Sequence, residues 1–507
     1  MKENVIGPTD YQGDLRVTCD VVVIGSGAGG ATAAATLAEA GLEVICLEEG
    51  GFHRTADYSA DIAGMFRSIM RNGGATATLG RSPVPYLEGR CVGGSTVING
   101  GMCWRTPPRI LETWARERGL PDLAPERLEP LFDEVERVIH ARYQDAGSEG
   151  ENNDVFLEGA TRLGWKLSKN KRNQVHCVGS NDCVTGCPSG AKQSTIFTWL
   201  PRLWANGGVV HTHCRATRLL TDRGRVVGVT GDIVDHPGGR RFTVKARAVV
   251  LAGGAVQTPL LLLRSKLGGA CGQVGRHFTI HPNIKVAARF DRPVDSVRGA
   301  HQAWQCVEFE DDGVLMAPGL VPIAFRSVAF NDFGPRLAQR MRDHGHVATG
   351  GILVDDHASG RIQLLPMGIP LVRYDVTDHD QARFVRGAAR LAEIYFAAGA
   401  KEVFLPFHGI APLRSPDDLA RLLASKPRPE DTEYFTAHLM GTCRMDAHPK
   451  RGVVDPDGQM WDAPGLYLAD ASIMPSTIGV NPQVTIMALA RLVSMRLAER
   501  LTARAAA

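Results

Sequence analysis

A chain of 507 residues, 44% hydrophobic and 22% charged, is long enough for roughly two or three domains and has an ordinary globular composition, not a disordered or fibrous one. Lys and Arg number 57 against 54 Asp and Glu, a net charge of +3 spread along the chain, which argues against nucleic acid or an anionic membrane as the main partner. The 11 cysteines, an odd count, fit a reducing compartment better than a disulfide framework, so a cytoplasmic location is expected.

The N-terminal segment carries Lys2, Glu3, Asp10, Asp14 and Arg16 and reads as no Sec-type signal. The longest apolar stretch, Val249 to Leu263, is broken by Gly253, Gly254, Gln257 and Pro259, so no transmembrane segment is expected. Val21 to Ile24 predicts a strand buried on both faces. Gly25 to Gly30 breaks it, Ala31 to Ala40 predicts a small-residue helix, and Val44 to Glu48 a second strand. Ile284 to Phe290, Val347 to Val354 and Arg361 to Leu365 have strand character, and Asp380 to Ala398 has helical spacing with Gly399 as its stop. Beyond His438 come short strands and a long amphipathic helix beginning near Pro482. The pattern predicts one αβ cofactor domain built from both ends of the chain, with a sheet-rich substrate domain inserted between.

Gly25-Ser26-Gly27-Ala28-Gly29-Gly30 is G-x-G-x-x-G between a strand and a helix. Gly25 permits the tight turn, Gly27 lets a pyrophosphate approach the backbone, and Gly30 lets helix and strand pack closely. The phosphates then sit at the positive end of the helix. Glu48, closing the second strand, suits a ribose hydroxyl. Strand, glycines and acid together point to a dinucleotide and leave NAD and FAD open.

The stretch Gly89-Arg90-Cys91-Val92-Gly93-Gly94-Ser95-Thr96-Val97-Ile98-Asn99-Gly100-Gly101-Met102 resembles the first signature of the glucose–methanol–choline (GMC) flavin oxidoreductases, and Gly254-Ala255-Val256-Gln257-Thr258-Pro259 approximates the second, with Lys266 where glycine is usual after Ser265. The resemblance runs from about Cys19 to Leu497. It implies FAD, held by Gly25, Gly27, Gly30, Glu48 and Gly94, with Asn99, Gly100 and Met102 as flavin contacts, Ala216 meeting the adenine through its backbone, and Asp470 and Ala471 as a late contact. Ile98 stands where some members attach FAD through histidine, so noncovalent FAD is expected. The implied fold is α/β plus α+β: a Rossmann-like FAD-binding domain (1–165, 205–282 and 440–507), a Cys-rich insert (166–204), and a substrate domain on a largely antiparallel sheet (283–439).

His438-Leu439-Met440-Gly441-Thr442-Cys443 resembles the family's H-x-x-G-T-C segment, and Gly479-Val480-Asn481-Pro482 the segment supplying its second catalytic residue. The resemblance implies His438 as the base that takes the hydroxyl proton while hydride goes to flavin N5, and Asn481 as the residue that orients the same oxygen and flanks the flavin. Asn481-Pro482 also reads as an N-cap and N1 pair. His277 and His281 resemble the segment joining the two domains and are assigned no catalytic role.

Cys177, Cys183 and Cys187 form C-x5-C-x3-C-P. Three readings fit: an iron–sulfur cluster, structural thiols, or zinc with His176 as a further ligand. The spacing resembles family sugar dehydrogenases that carry a 3Fe-4S cluster, and the residues after it resemble long-chain alcohol oxidases. The expected activity is oxidation of an alcohol, preferably hydrophobic, by a dehydrogenase passing electrons to a quinone, cytochrome or protein acceptor, with membrane association through that partner. An O2-using oxidase, a sugar dehydrogenase and a flavin-retaining lyase or binding protein are the alternatives.

Overall fold

A computed structural model describes residues 3–145, 147–235, 238–319 and 323–506. The central strand is Leu15–Ile24, longer than the expected Val21 to Ile24, and its apolar half Val21, Val22 and Val23 is wholly buried, as covering on both faces requires. Around it lies an eight-stranded sheet. Val5–Ile6, Val209–His211, Val44–Leu47, Leu15–Ile24 and Arg241–Leu251 run parallel in that order, followed by antiparallel Arg225–Ile233 and Cys214–Asp222. Leu466–Leu468 joins in parallel at Val249–Leu251, beyond the residues that pair with Arg225–Ile233. Both ends of the chain therefore build this domain.

The helix after the glycine turn is Ala28–Glu39, three residues earlier than the expected start, because Gly27 caps it. Its Gly, Ala and Thr side chains are small enough for close packing against Gln483–Ala506. The sequence predicts an amphipathic final helix. Its first half is instead largely enclosed: Val484, Thr485, Met487, Ala488, Leu489, Ala490, Val493 and Ser494 are buried, with Ala28–Glu39 and Pro125–Val138 packed against the helix. No described helix is long and apolar enough to cross a membrane.

The second sheet has six strands, in the order Glu402–Phe404, Asn283–Arg289, Val347–Val354, Val314–Pro318, Trp304–Cys306 and Leu167–Lys169, each pair antiparallel. Strand alternation sends Ile284, Val286, Ala288, Met316, Ile352 and Val354 to one face, into a core shared with the helices Asp378–Ala397 and Glu151–Arg162. Thr377 starts the first of these helices by accepting the Asp380 N–H, and Gly399, at φ +97°, follows its end. Val155, Phe156 and Ala160 belong to this core, and Leu167–Lys169 edges the sheet. Residues 151–169 thus pack with the second sheet, and the expected boundary at 165 falls inside that segment. Gly360–Leu364 pairs in a separate three-stranded sheet with Arg276–Phe278 and Pro370–Arg373.

Lys266 ends helix Gly254–Arg264 in the left-handed region, φ +58°. A side chain there costs more than the chain entropy of glycine, so Lys266→Gly is expected to raise stability by about 0.5–1 kcal/mol, read as a higher Tm. An unchanged or lower Tm would contradict this.

Candidate active site

The glycine corner is built by close backbone approach. Gly25 turns at φ +105°, and a Cβ there would lie 2.3 Å from Ala252 O. A Cβ on Gly30 would lie 1.9 Å from Gly25 O, and one on Gly29 only 1.8 Å from Ala469 O. No side chain caps the helix at Gly27, so its first N–H groups stay available for an anion. Ser26 locks the corner: its Oγ–H and N–H donate to Glu48 Oε2 at 2.7 and 3.1 Å, and its Oγ accepts the Gly93 N–H at 3.0 Å.

These elements frame a cavity of about 820 Å³. Gly25, Gly27, Glu48, Gly94, Ala216, Asp470 and Ala471 all line it, as do Ser26, Gly29, Arg71, Arg215 and Arg264. Glu48 Oε1 accepts the Gly50 N–H at 2.9 Å, so three of the carboxylate's about four acceptor positions are used and one is left for a hydroxyl. Burial raises its pKa, as it does that of Asp470, which accepts from Gly254 N–H, Thr258 Oγ–H and Ser472 N–H at 2.6–2.8 Å. Gly30 lies behind the lining. Asn99, Gly100 and Met102 do not line the cavity either: the Asn99 carboxamide donates to Gln483 Oε1 at 2.6 Å and accepts the Gly101 N–H, while Gly100 O accepts from Arg172. A volume of about 820 Å³, glycines that admit a pyrophosphate, and a buried carboxylate near the strand end suit FAD.

His438 and Asn481 meet at the rim. Asn481 Nδ2 donates to His438 Nε2 at 3.0 Å, and the chain neighbours Ala437, Leu439 and Pro482 line the cavity. The Asn481 carboxamide thus serves the histidine, and the helix behind it begins at Gln483. Burial, and secondarily His281, lowers the His438 pKa to about 3, which keeps the imidazole neutral. His281, given no role from sequence, stands edge-to-face with His438, ring centroids 5.5 Å apart. Its Nε2 accepts from the Ile478 and Gly479 N–H groups at 3.2 and 2.9 Å, which puts its proton on Nδ1 and ties it to the loop carrying Asn481. Asp356 supports this arrangement by accepting from Ile280 N–H, His281 N–H, Tyr374 Oη–H and Thr477 Oγ–H. His277 is turned to Gln273, at 2.9 Å.

The cysteine loop is bonded to the same region. Arg172, which holds Gly100 O, also donates to Cys183 Sγ at 3.3 Å, and the Lys192 N–H donates to Cys187 Sγ at 3.3 Å. Lys192 Nζ donates to Val97 O, Asn99 O and Cys183 O, and burial lowers its pKa to about 8. A zinc ion at about 2.3 Å from each sulfur requires sulfurs roughly 3.8 Å apart. Among the described residues the one group of three ligating side chains gathered within 4.8 Å is His357, His379 and Asp380. Cys177, Cys183, Cys187 and His176 are not part of that group.

A parallel sheet with a glycine corner, a dinucleotide-sized cavity and a neutral histidine at its rim defines an FAD-binding oxidoreductase. Residues 20–70 match an FAD-binding domain, and residues 66–283 and 356–490 match the N- and C-terminal models of GMC oxidoreductases. An uncharacterized GMC-type oxidoreductase of Sinorhizobium fredii is 34% identical over 96% of this chain and 95% of its own. A long-chain-alcohol oxidase of Arabidopsis thaliana is 30% identical over 96% of this chain and 68% of its own. Pyridoxine 4-oxidase from Mesorbium loti superposes with a TM-score of 0.73 at 20% identity, covering 94% of this chain and 99% of that one. The chain belongs to the GMC oxidoreductase family and is an enzyme of that class.

Proposed function

We propose that the chain oxidises the CH–OH group of an alcohol with a largely apolar body to an aldehyde or ketone. The observation that carries this is the neutral His438 held against Asn481 at the cavity rim. Asn481 Nδ2 occupies the one lone pair of His438 Nε2 in the resting arrangement, so the alcohol hydroxyl displaces it: Nε2 then takes the hydroxyl proton and Asn481 Nδ2 donates to the alcohol oxygen and fixes it. FAD, held noncovalently by Gly25, Gly27, Glu48, Gly94 and Asp470, supplies the acceptor of the α-hydride when bound. His281 positions the pair by packing edge-to-face with His438 and anchoring residues 478 and 479. The relation to long-chain-alcohol oxidases supports an apolar alcohol. An anaerobic screen of fatty, aromatic, sterol and sugar alcohols tests the reading by flavin bleaching. Bleaching by sugars alone would overturn the choice of substrate, and no bleaching by any alcohol would overturn the activity.

The cysteine loop is tied through Arg172 and Lys192 to the signature segment 97–100, which supports a dehydrogenase: Cys177, Cys183 and Cys187 would hold a three-iron cluster, which would supply a one-electron exit to a quinone, cytochrome or protein acceptor. Cys183→Ser is expected to preserve anaerobic flavin reduction while lowering reduction of an external acceptor about tenfold or more, since the base acts before the exit step. Iron analysis and EPR of anaerobically purified protein check the cluster. No iron, with fast peroxide formation in air, would return the protein to the oxidases.

A further inference from the structure

Lys285 stands on the face of the second sheet turned away from its apolar core. It shares that face with Asn283, Gly351 and Ala317, because Lys285 pairs with Gly351 and Gly351 with Ala317. Cys306 pairs with Met316, which brings Gln305 level with Ala317 and makes one cross-strand row from Lys285 to Gln305 with only Gly and Ala between. A Cβ on Gly351 would lie 2.6 Å from Lys285 Nζ and 3.1 Å from Asn283 Oδ1.

The polar groups along this row lack partners. Lys285 is partly buried, and its Nζ lies 4.7 Å from the centre of the Phe435 ring. Among the described residues no carboxylate pairs with it, and burial alone lowers its pKa to about 8, leaving it largely charged at neutral pH. Asn283 Oδ1 and Gln305 Oε1 are buried without a hydrogen-bond partner. Protein interiors pair such charges and satisfy such acceptors. The row adjoins the segments that carry His438 and His281. The Asn283 and Phe435 backbones bond to each other at 2.9 and 3.0 Å, Phe435 is three residues before His438, and His281, against the His438 ring, is two residues before Asn283.

We propose that this row is the substrate's distal subsite and takes an anionic end, such as a carboxylate, with Lys285 as its counter-charge, while Asn283 and Gln305 accept from ligand hydroxyl or N–H groups. The inference rests on the alcohol-oxidising reading and narrows it: the substrate is an alcohol with a negatively charged group at the end remote from the reacting carbon. Gly351, without a side chain, gives Lys285 Nζ the room it occupies beside Asn283.

The test uses the FAD-loaded protein and its Lys285→Met and Lys285→Arg variants. Hexanoate and hexanamide are titrated against the flavin absorbance, and 6-hydroxyhexanoate and 1-hexanol are compared as anaerobic reductants. The wild type should bind hexanoate more tightly than hexanamide, with Lys285→Met weakening hexanoate about tenfold or more and Lys285→Arg restoring most of it. The ratio of kcat/KM for the hydroxy acid to that for hexanol should fall by a similar factor in Lys285→Met, a ratio in which any loss of folded protein cancels. Equal hexanoate affinity in wild type and Lys285→Met, or a wild-type preference for hexanol, would overturn the proposal. Lys285-dependent hexanoate binding without reduction by either alcohol would uphold the anion subsite and overturn the alcohol chemistry instead.

Discussion

Replacing His438 with alanine is expected to slow anaerobic flavin reduction by about 10²–10⁴-fold while the flavin remains bound, because the residue acts on the alcohol and not on the cofactor. The cavity lining does not include His438 itself, so flavin content and spectrum should be close to wild type. Stopped-flow bleaching at saturating alcohol checks the rate, and a loss below about threefold would exclude His438 as the base. The pH dependence follows from the same environment. With its folded pKa lowered to about 3, chiefly by burial, His438 stays unprotonated through the neutral range, so it should add no acidic limb to the reduction rate above about pH 5. Its effect on stability has a definite sign. The unfolded imidazole takes its proton near pH 6.5 and the folded one only near pH 3, so the unfolded chain gains as pH falls between those values. Stability in this respect is complete above about pH 6.5 and declines toward pH 3.

Gly29→Val is the second large effect expected. The new Cβ would be 1.8 Å from Ala469 O and 3.0 Å from Asp470 Cα, both backbone atoms that cannot rotate away. Relief requires either helix Ala28–Glu39 or the segment after Leu466–Leu468 to move. The first displaces the N–H groups at the glycine corner, and the second breaks the bonds from Asp470 to Gly254, Thr258 and Ser472. The variant should purify with less than about a tenth of the wild-type flavin and lose about 3 kcal/mol or more of stability. Flavin absorbance against protein concentration measures the first and thermal unfolding the second. Wild-type flavin content would contradict so close an approach of helix and loop.

Much of this site is legible along the chain because its signals are local. A β-branched run, a glycine turn and an acid at the next strand end lie within thirty residues, and Gly25, Gly27, Glu48 and Gly94 do face one cavity. Strand Val347–Val354 falls where its β-branched sequence places it. What escaped the sequence depends on contacts between distant segments. Gly29 is constrained by Ala469, His281 by Ile478, Gly479 and His438, and Asn99 is taken by Gln483. None of these partners has a fixed spacing in sequence. The C-terminal helix misleads for a related reason: its scattered Arg and Ser residues suggest an outward stripe, but two helices enclose its first half, where Arg491 pairs with Glu39 and Glu134.

The parallel strand Leu466–Leu468 and the helix after it, which close the first sheet, also set the order in which competence arises during synthesis. A nascent chain can pair Leu15–Ile24 with Arg241–Leu251 and assemble the second sheet while the last strand is still in the ribosome. It cannot yet present Asp470 to the cavity, nor bring Asn481 to His438, since both come from that late segment. The glycine corner near residue 25 is therefore completed as a cofactor site only by residues beyond 465, Ala469 against Gly29 and Asp470 in the cavity wall.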